Sequence, residues 1–406
     1  MTSQLSLSAT ETLPSDGLAG TLVGRAWVPP TDSAPAGPGV VVLRADGLFD
    51  ISDAAPTLSS LLERDDPVST VHAARGRWIG SLDTLLANTA AGTGGTPRDP
   101  RHAYLLAPCD LQVIKAAGVT FAASLIERVI EERAKGDPQG AVRIRNQINA
   151  LVGDSLASIR PDSTEARDLK ALLIEQGLWS QYLEVGIGPD AEIFTKAPLL
   201  AALGTGTDIG LHPNSVWNNP EPEIVLAIDS RGRALGATLG NDVNLRDFEG
   251  RSALLLGKAK DNNGSCAIGP FLRLFDGTFS MDDVRHATVD LRVEGDDGFV
   301  LRGMSSMDQI TRDPLDLVAQ MVGPTHQYPD GAMLFLGTLF APVEDRDAAG
   351  AGFTHKQGDI VRISSKPLGS LVNRVDRSDR IEPWTFGVRA LMGNLAARGM
   401  LDNASL

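Results

Sequence analysis

The sequence predicts a β-rich α+β fold, one large domain following a smaller N-terminal α+β one. Three observations predict it. The 42 glycines and 24 prolines, set against 5% aromatic residues, imply a chain that turns often. From about residue 193 onward, apolar residues come in short runs bounded by turn signals rather than in helical stripes. At ~150 residues per domain, 406 residues amount to about 2.7 domains, enough to bury a full core without disulfide or metal staples.

Residues 1–36 read as an irregular lead-in. The apolar run 40–43, then Asp46-Gly47, then 48–51, is a hairpin signal, because Asp-Gly supplies the positive φ angles of a tight turn. Thr57 is placed to cap a short helix carrying Leu58, Leu61 and Leu62. Residues 91–100, AGTGGTPRDP, have almost nothing to bury and mark the boundary between an N-terminal domain (1–100) and a larger domain (101–406). From Phe121 the pattern turns helical, with Leu125, Ile126, Val129 and Ile130 on one stripe. A helical insert spans about 134–190, and within it a helix over 163–177 carries Leu169, Leu172 and Leu173 and stops at Gly177. Strands follow at 224–228, at 234–240 after a turn over 229–232, and at 361–364 and 371–375.

Charge and cysteine usage exclude several classes. With 37 basic and 51 acidic residues the net charge is −14, so nucleic acid and anionic membrane surfaces are poor partners. Cys109 and Cys266 form no C-x-x-C pair, which argues against a zinc ribbon or redox dithiol and fits a reducing compartment. The first basic residue is Arg25, and the most apolar stretch, 331–343, is interrupted by Thr338 and shorter than the ~18 residues a membrane helix needs. A soluble cytoplasmic protein without signal peptide is therefore expected. The six histidines form no metal-ligand spacing, and the glycines of 204–210 are spaced one residue too long for a dinucleotide fingerprint.

The sharpest chemical feature is Glu221-Pro222-Glu223 at the head of the 224–228 strand. Strand side chains alternate, so both carboxylates face the same way. An antiparallel return past the 229–232 turn brings Asp242 back toward Glu223. Three close carboxylates need compensation, and a divalent cation supplies it. Oxygen-only ligands favour Mg2+ or Mn2+ over zinc. Alone, the triplet also reads as a solvated patch on an edge strand.

The region after Asp242 narrows that choice. It reads Asn241-Asp242-Val243-Asn244-Leu245-Arg246-Asp247, then Lys258-Ala-Lys260, then Gly269-Pro270, Gly337-Thr338, Gly358-Asp359-Ile360-Val361 and Leu368-Gly369-Ser-Leu371-Val-Asn373. In this order the set resembles the fumarylacetoacetate hydrolase superfamily over roughly residues 112–376. The resemblance implies a mixed β-sandwich roll, a homodimer or homotetramer, and a metal held by Glu221, Glu223 and Asp242. The family's active-site lysine precedes its G-P by nine residues, which gives Lys260; Lys258, preceded by Gly257, is the other possibility. Beside a cation the lysine pKa is expected to fall, fitting it as a base.

The family's water-activating motif G-x-N-Y-x-x-H-x-x-E reads here Gly118-Val119-Thr120-Phe121-Ala122-Ala123-Ser124-Leu125-Ile126-Glu127. The glutamate is kept as Glu127 but the histidine is Ser124, and serine alone is no general base at neutral pH. Segments 179–196, 217–223, 258–270 and 352–359 are similar to the 2-keto-3-deoxy-sugar-acid dehydratases of the superfamily. The resemblance thus implies a Mg2+-dependent lyase acting on a small 2-keto sugar acid, a 2-keto-3-deoxy-arabinonate or -xylonate. Lys260 would take the C3 proton, Glu127 with Ser124 would help expel the C4 hydroxyl, and Thr338, Ser305 and Ser306 are candidates for holding substrate oxygens. A hydrolase of acylpyruvates or fumarylpyruvates on the same metal site is the alternative, and a non-catalytic metal-binding or ligand-sensing protein a third reading.

Overall fold

The computed structural model of the chain describes residues 5–121, 125, 129, 159–339, 344–347 and 352–401. Sixteen strands are found among them: β1 (Leu22–Val28), β2 (Gly37–Arg44), β3 (Gly47–Asp50), β4 (Arg77–Gly80), β5 (Tyr104–Leu106), β6 (Val113–Gly118), β7 (Glu192–Ala197) and β8 (Thr207–Leu211), then β9 (Pro222–Ile228), β10 (Ala234–Asp242), β11 (Cys266–Leu274), β12 (Thr288–Glu294), β13 (Val300–Ser306), β14 (Ala332–Phe335), β15 (Ile360–Ser365) and β16 (Gly369–Arg377). They build two sheets. One runs β4-β3-β2-β1-β11-β10-β9-β14-β6-β7 with β5 alongside β1, the other β13-β12-β15-β16-β8. Both are mixed, since β14 pairs parallel with β6 and β16 parallel with β8 while most other pairs are antiparallel. The predicted β-rich α+β class holds.

The strand 224–228 is apolar at every position because both its faces are covered. Ile224, Leu226 and Ile228 join Leu239 of β10 and pack with Val289, Leu291, Ile363, Leu371 and Val375 of the second sheet. Val225 and Ala227 point the other way, into a cluster with Ile268, Leu272, Met333 and Phe335 that also takes Leu58, Leu61 and Leu62. The helix Leu58–Leu62 has the predicted Thr57 cap, closed as a box by the Ser60 side chain. The N-terminal strands extend the same sheet as the central ones, β1 pairing antiparallel with β11.

The hairpin of β2 and β3 forms one residue out of the predicted place. Arg44 lies opposite Gly47, so the turn residues are Ala45 and Asp46. Gly47 instead opens β3 with φ +130°, where a Cβ would sit 2.3 Å from the Gly80 carbonyl oxygen. In the insert, Thr164–Glu175 is helical, capped by Ser163, and Gly177 follows at φ +65°. Leu169 and Leu173 are buried with Leu125 and Val129, but Leu172 is exposed. At helical spacing Leu172 falls off the inward stripe that its neighbours occupy. Ser124, Ile126, Glu127 and Ile130 lie outside the described residues, as do residues 134–158 of the expected insert.

Candidate metal centre

Two consecutive strands, β9 and β10, bring the acidic residues together. Gly240 of β10 pairs with Glu223 of β9, and Asn241 pairs with Pro222. The ladder continues as the Asp242 N–H donates to the Glu221 carbonyl at 3.0 Å. Residues 221 and 223 share one face by alternation, and residue 242 reaches that face from the neighbouring strand. A carboxylate oxygen from each of Glu221, Glu223 and Asp242 lies within 4.8 Å of the others, and all three residues are buried.

Each ligand candidate is oriented. The Gly337 N–H donates to Glu223 Oε2 at 2.6 Å. That close approach needs glycine: Gly337 has φ +91°, and a Cβ would lie 2.0 Å from Thr120 Oγ1. Asn244 Nδ2 donates to Glu221 Oε1 at 3.1 Å and to Glu249 Oε2 at 2.6 Å. Asn241 Oδ1 accepts the Glu221 N–H at 3.1 Å. The N-D-V-N tetrad therefore supplies one acid and two amides that brace the neighbouring acid.

Two lysines meet this cluster. Lys260, last residue of the helix Leu256–Lys260, is buried, with Nζ 2.5 Å from Glu221 Oε2 and 3.1 Å from Asp242 Oδ2. Its Nζ also stands 5.7 Å from the centre of the Phe194 ring. Lys258 is exposed. Lys196, at the end of β7, has no solvent exposure and pairs with Asp242 Oδ1 at 2.8 Å. The sequence reading missed Lys196. A single charge in the apolar stretch 193–197 reads as a surface lysine until tertiary contacts bury it.

Burial, then the charges of Asp242 and Glu221, push the Glu223 carboxyl well above the usual carboxylate range. Burial alone would lower Lys260, but Asp242 and Glu221 outweigh it and raise its pKa. The lowered lysine pKa expected from the sequence thus requires a divalent charge that outweighs these carboxylates. The donor set fits such an ion: all oxygen, anionic, buried and short of positive charge at Glu223. A proton on Glu223 competes with that cation, so Mg2+ affinity is expected to rise with pH through the raised Glu223 range, with proton release on binding. Calorimetry in buffers of different ionisation enthalpy measures this; pH-independent affinity without proton release would contradict it.

Of the other predicted site residues, Ser305 and Ser306 end β13 and Thr338 follows β14, while Ser124 and Glu127 lie outside the described residues. Ser305 is buried, and its Oγ accepts the Leu339 N–H at 3.2 Å, placing it against the Gly337-Thr338 segment that holds Glu223. Thr338 is half-buried. The Ser306 hydroxyl donates to Asp308 Oδ2 at 3.3 Å.

Residues 188–376 match the family model described as fumarylacetoacetate (FAA) hydrolase C-terminal. A 2-dehydro-3-deoxy-D-arabinonate dehydratase of Saccharolobus solfataricus is 29% identical over 193 residues, 47% of this chain and 60% of the relative. A probable 2-keto-3-deoxyxylonate dehydratase of Haloferax volcanii is 27% identical over 201 residues, 50% of this chain and 65% of the relative. The chain thus spans about three fifths to two thirds of these curated relatives' length. Among solved structures, 2-keto-3-deoxy-D-arabinonate dehydratase in its apo form superposes with TM-score 0.56 at 19% identity, covering 88% of this chain and 99% of that one. A 2-keto-3-deoxy-D-arabinonate dehydratase complexed with magnesium and 2,5-dioxopentanoate gives TM-score 0.55, again at 19% identity. At that identity the likeness carries the fold. No helix among the described residues is long and apolar enough to cross a membrane.

Proposed function

We propose that this chain, whose residues 188–376 belong to the fumarylacetoacetate hydrolase family, is a magnesium-dependent dehydratase that converts a 2-keto-3-deoxy-pentonate to 2,5-dioxopentanoate and water. The observation that carries the reading is a buried amine in contact with two of three clustered carboxylates: Lys260 Nζ at 2.5 Å from Glu221 and 3.1 Å from Asp242. The dehydratase names of the two curated relatives support the choice of substrate.

Glu221, Glu223 and Asp242 would hold the magnesium ion, which when bound supplies Lewis acidity at the 2-keto oxygen of a 2-keto acid. Lys260 removes a proton from C3 of the substrate. The C4–O bond then breaks, and the hydroxyl leaves as water with a proton relayed by Glu127 and Ser124. A hydrogen moves from C5 to C3, and the resulting enol becomes the C5 aldehyde. Ser305, Ser306 and Thr338 would hold substrate oxygens near the Glu223 strand. Lys260 is itself buried, with the Phe194 ring 5.7 Å from its Nζ.

The decisive test is mass spectrometry of the products after incubating protein, Mg2+ and 2-keto-3-deoxy-arabinonate or -xylonate. The expected product is 2,5-dioxopentanoate, with little cleavage of acylpyruvates. Robust acylpyruvate hydrolysis and no dehydration would overturn the reading. A further expectation concerns Glu127. Glu127→Gln should abolish loss of the C4 hydroxyl while leaving Mg2+ binding intact, since a neutral amide cannot relay that proton. Exchange at C3 in deuterated water, followed by NMR, should persist because Lys260 remains; loss of exchange together with dehydration would place Glu127 in the first proton transfer instead.

A further inference from the structure

We propose that Lys196 is a positioning residue that holds Asp242 to the Lys260 segment and sets the charge balance of the site, weakening cation affinity in favour of a bound 2-keto acid anion. The inference rests on the dehydratase reading for its substrate class, and its binding tests stand without turnover.

Lys196 makes three contacts. Nζ donates to the carbonyl oxygens of Val243, at 3.2 Å, and of Lys260, and forms an ion pair with Asp242 Oδ1 at 2.8 Å. That last contact is one of charge, since Asp242 Oδ1 is buried and accepts no hydrogen bond. The two oxygens of Asp242 are consequently divided between two lysines, Oδ1 to Lys196 and Oδ2 to Lys260. Ser265 Oγ reinforces the second anchor by donating to the same Lys260 carbonyl at 2.8 Å. One residue thus ties an acid at the end of β10 to the backbone of the amine that approaches it from the other side.

The charge follows from the same geometry. A fully buried positive charge in contact with a metal-binding carboxylate opposes a cation and favours an anion in the same enclosure, and burial keeps salt from screening it. Glu249 lies one residue further out, behind Asn244, and its charge is unchanged by substitution at Lys196. Removing the Lys196 charge therefore shifts the two affinities in opposite directions, which a merely structural prop would not do.

The test uses Lys196→Gln, which keeps donors but removes the charge, and Lys196→Arg, which keeps both. Mg2+ binding and pyruvate binding to the Mg2+-saturated protein are measured by calorimetry. Lys196→Gln should bind Mg2+ several-fold more tightly and pyruvate about tenfold more weakly. Lys196→Arg should return both constants to within about threefold of wild type. Unchanged constants in Lys196→Gln, or weakening of both that Lys196→Arg does not restore, would overturn the proposal. If Lys196→Gln does not fold, Lys196→Arg decides: both affinities kept supports the charge role, and loss of either one defeats it. A wild type that binds Mg2+ and pyruvate but dehydrates no sugar acid would count against the proposed reaction and leave the Lys196 result to be read on its own.

Discussion

Substituting the three acids is expected to abolish Mg2+-dependent turnover, with different consequences for stability. Glu221→Gln, Glu223→Gln and Asp242→Asn should each weaken Mg2+ binding by roughly 10–100-fold or more, since even residues that only support metal ligands matter on that scale. Chelator should silence the wild type, and added Mg2+ should restore it. The metal-free proteins separate the variants. Burial and two like charges raise Glu223 well above the usual carboxylate range, so Glu223→Gln removes an unfavourable charge and keeps the protein at least as stable as wild type. Asp242→Asn instead leaves the buried ammonium of Lys196 without its carboxylate, and takes from Lys260 one of its two, Glu221 remaining. Breaking a buried pair in this way costs about 3–5 kcal/mol. Thermal melts without metal should therefore rank Asp242→Asn well below Glu223→Gln. Equal melting temperatures, or unchanged Mg2+ affinity in all three variants, would remove the basis for the site.

Lys260→Ala is expected to cut turnover by about 10²–10⁴-fold, the range for a lost general acid/base. Lys258→Ala should change it little. The two lysines stand two residues apart in one short helix, yet one is buried against Glu221 and Asp242 and the other is exposed. Steady-state kinetics on both variants with the same sugar acid settle the assignment. A larger loss in Lys258→Ala would mean that Lys260 serves as a structural counter-charge. Mg2+ binding should survive in Lys260→Ala and even tighten, because the variant removes a positive charge that competes for the same oxygens.

Much of the site was legible because it is written in local patterns. Glu221 and Glu223 sit at i and i+2 of one strand, and a four-residue turn over 229–232 returns the chain antiparallel; those two facts bring Asp242 alongside. For the lysine, the family resemblance supplied the nine-residue count to Gly269 that points to Lys260, whose Nζ lies 2.5 Å from Glu221 Oε2. The Thr57 cap was legible for the same reason, its side chain accepting the Ser60 N–H three residues on. The hairpin of β2 and β3 came out one residue shifted, because glycine is needed where the chain passes the Gly80 carbonyl, a neighbour that sequence spacing does not show.

Residue order alone carried the fold class and brought the two glutamates and Asp242 onto one strand pair, since alternation and turn chemistry act over a few residues; Lys260 came from the family resemblance, with Lys258 left open beside it. Tertiary structure alone decided which groups complete the cluster. Lys196 reaches Asp242 from 46 positions upstream, and Gly337 reaches Glu223 from 114 positions downstream. Their roles depend on burial and on the pairing of strands distant in sequence. A lysine becomes a buried counter-charge, and a glycine becomes the donor to an acid, only when the sheet has closed around them.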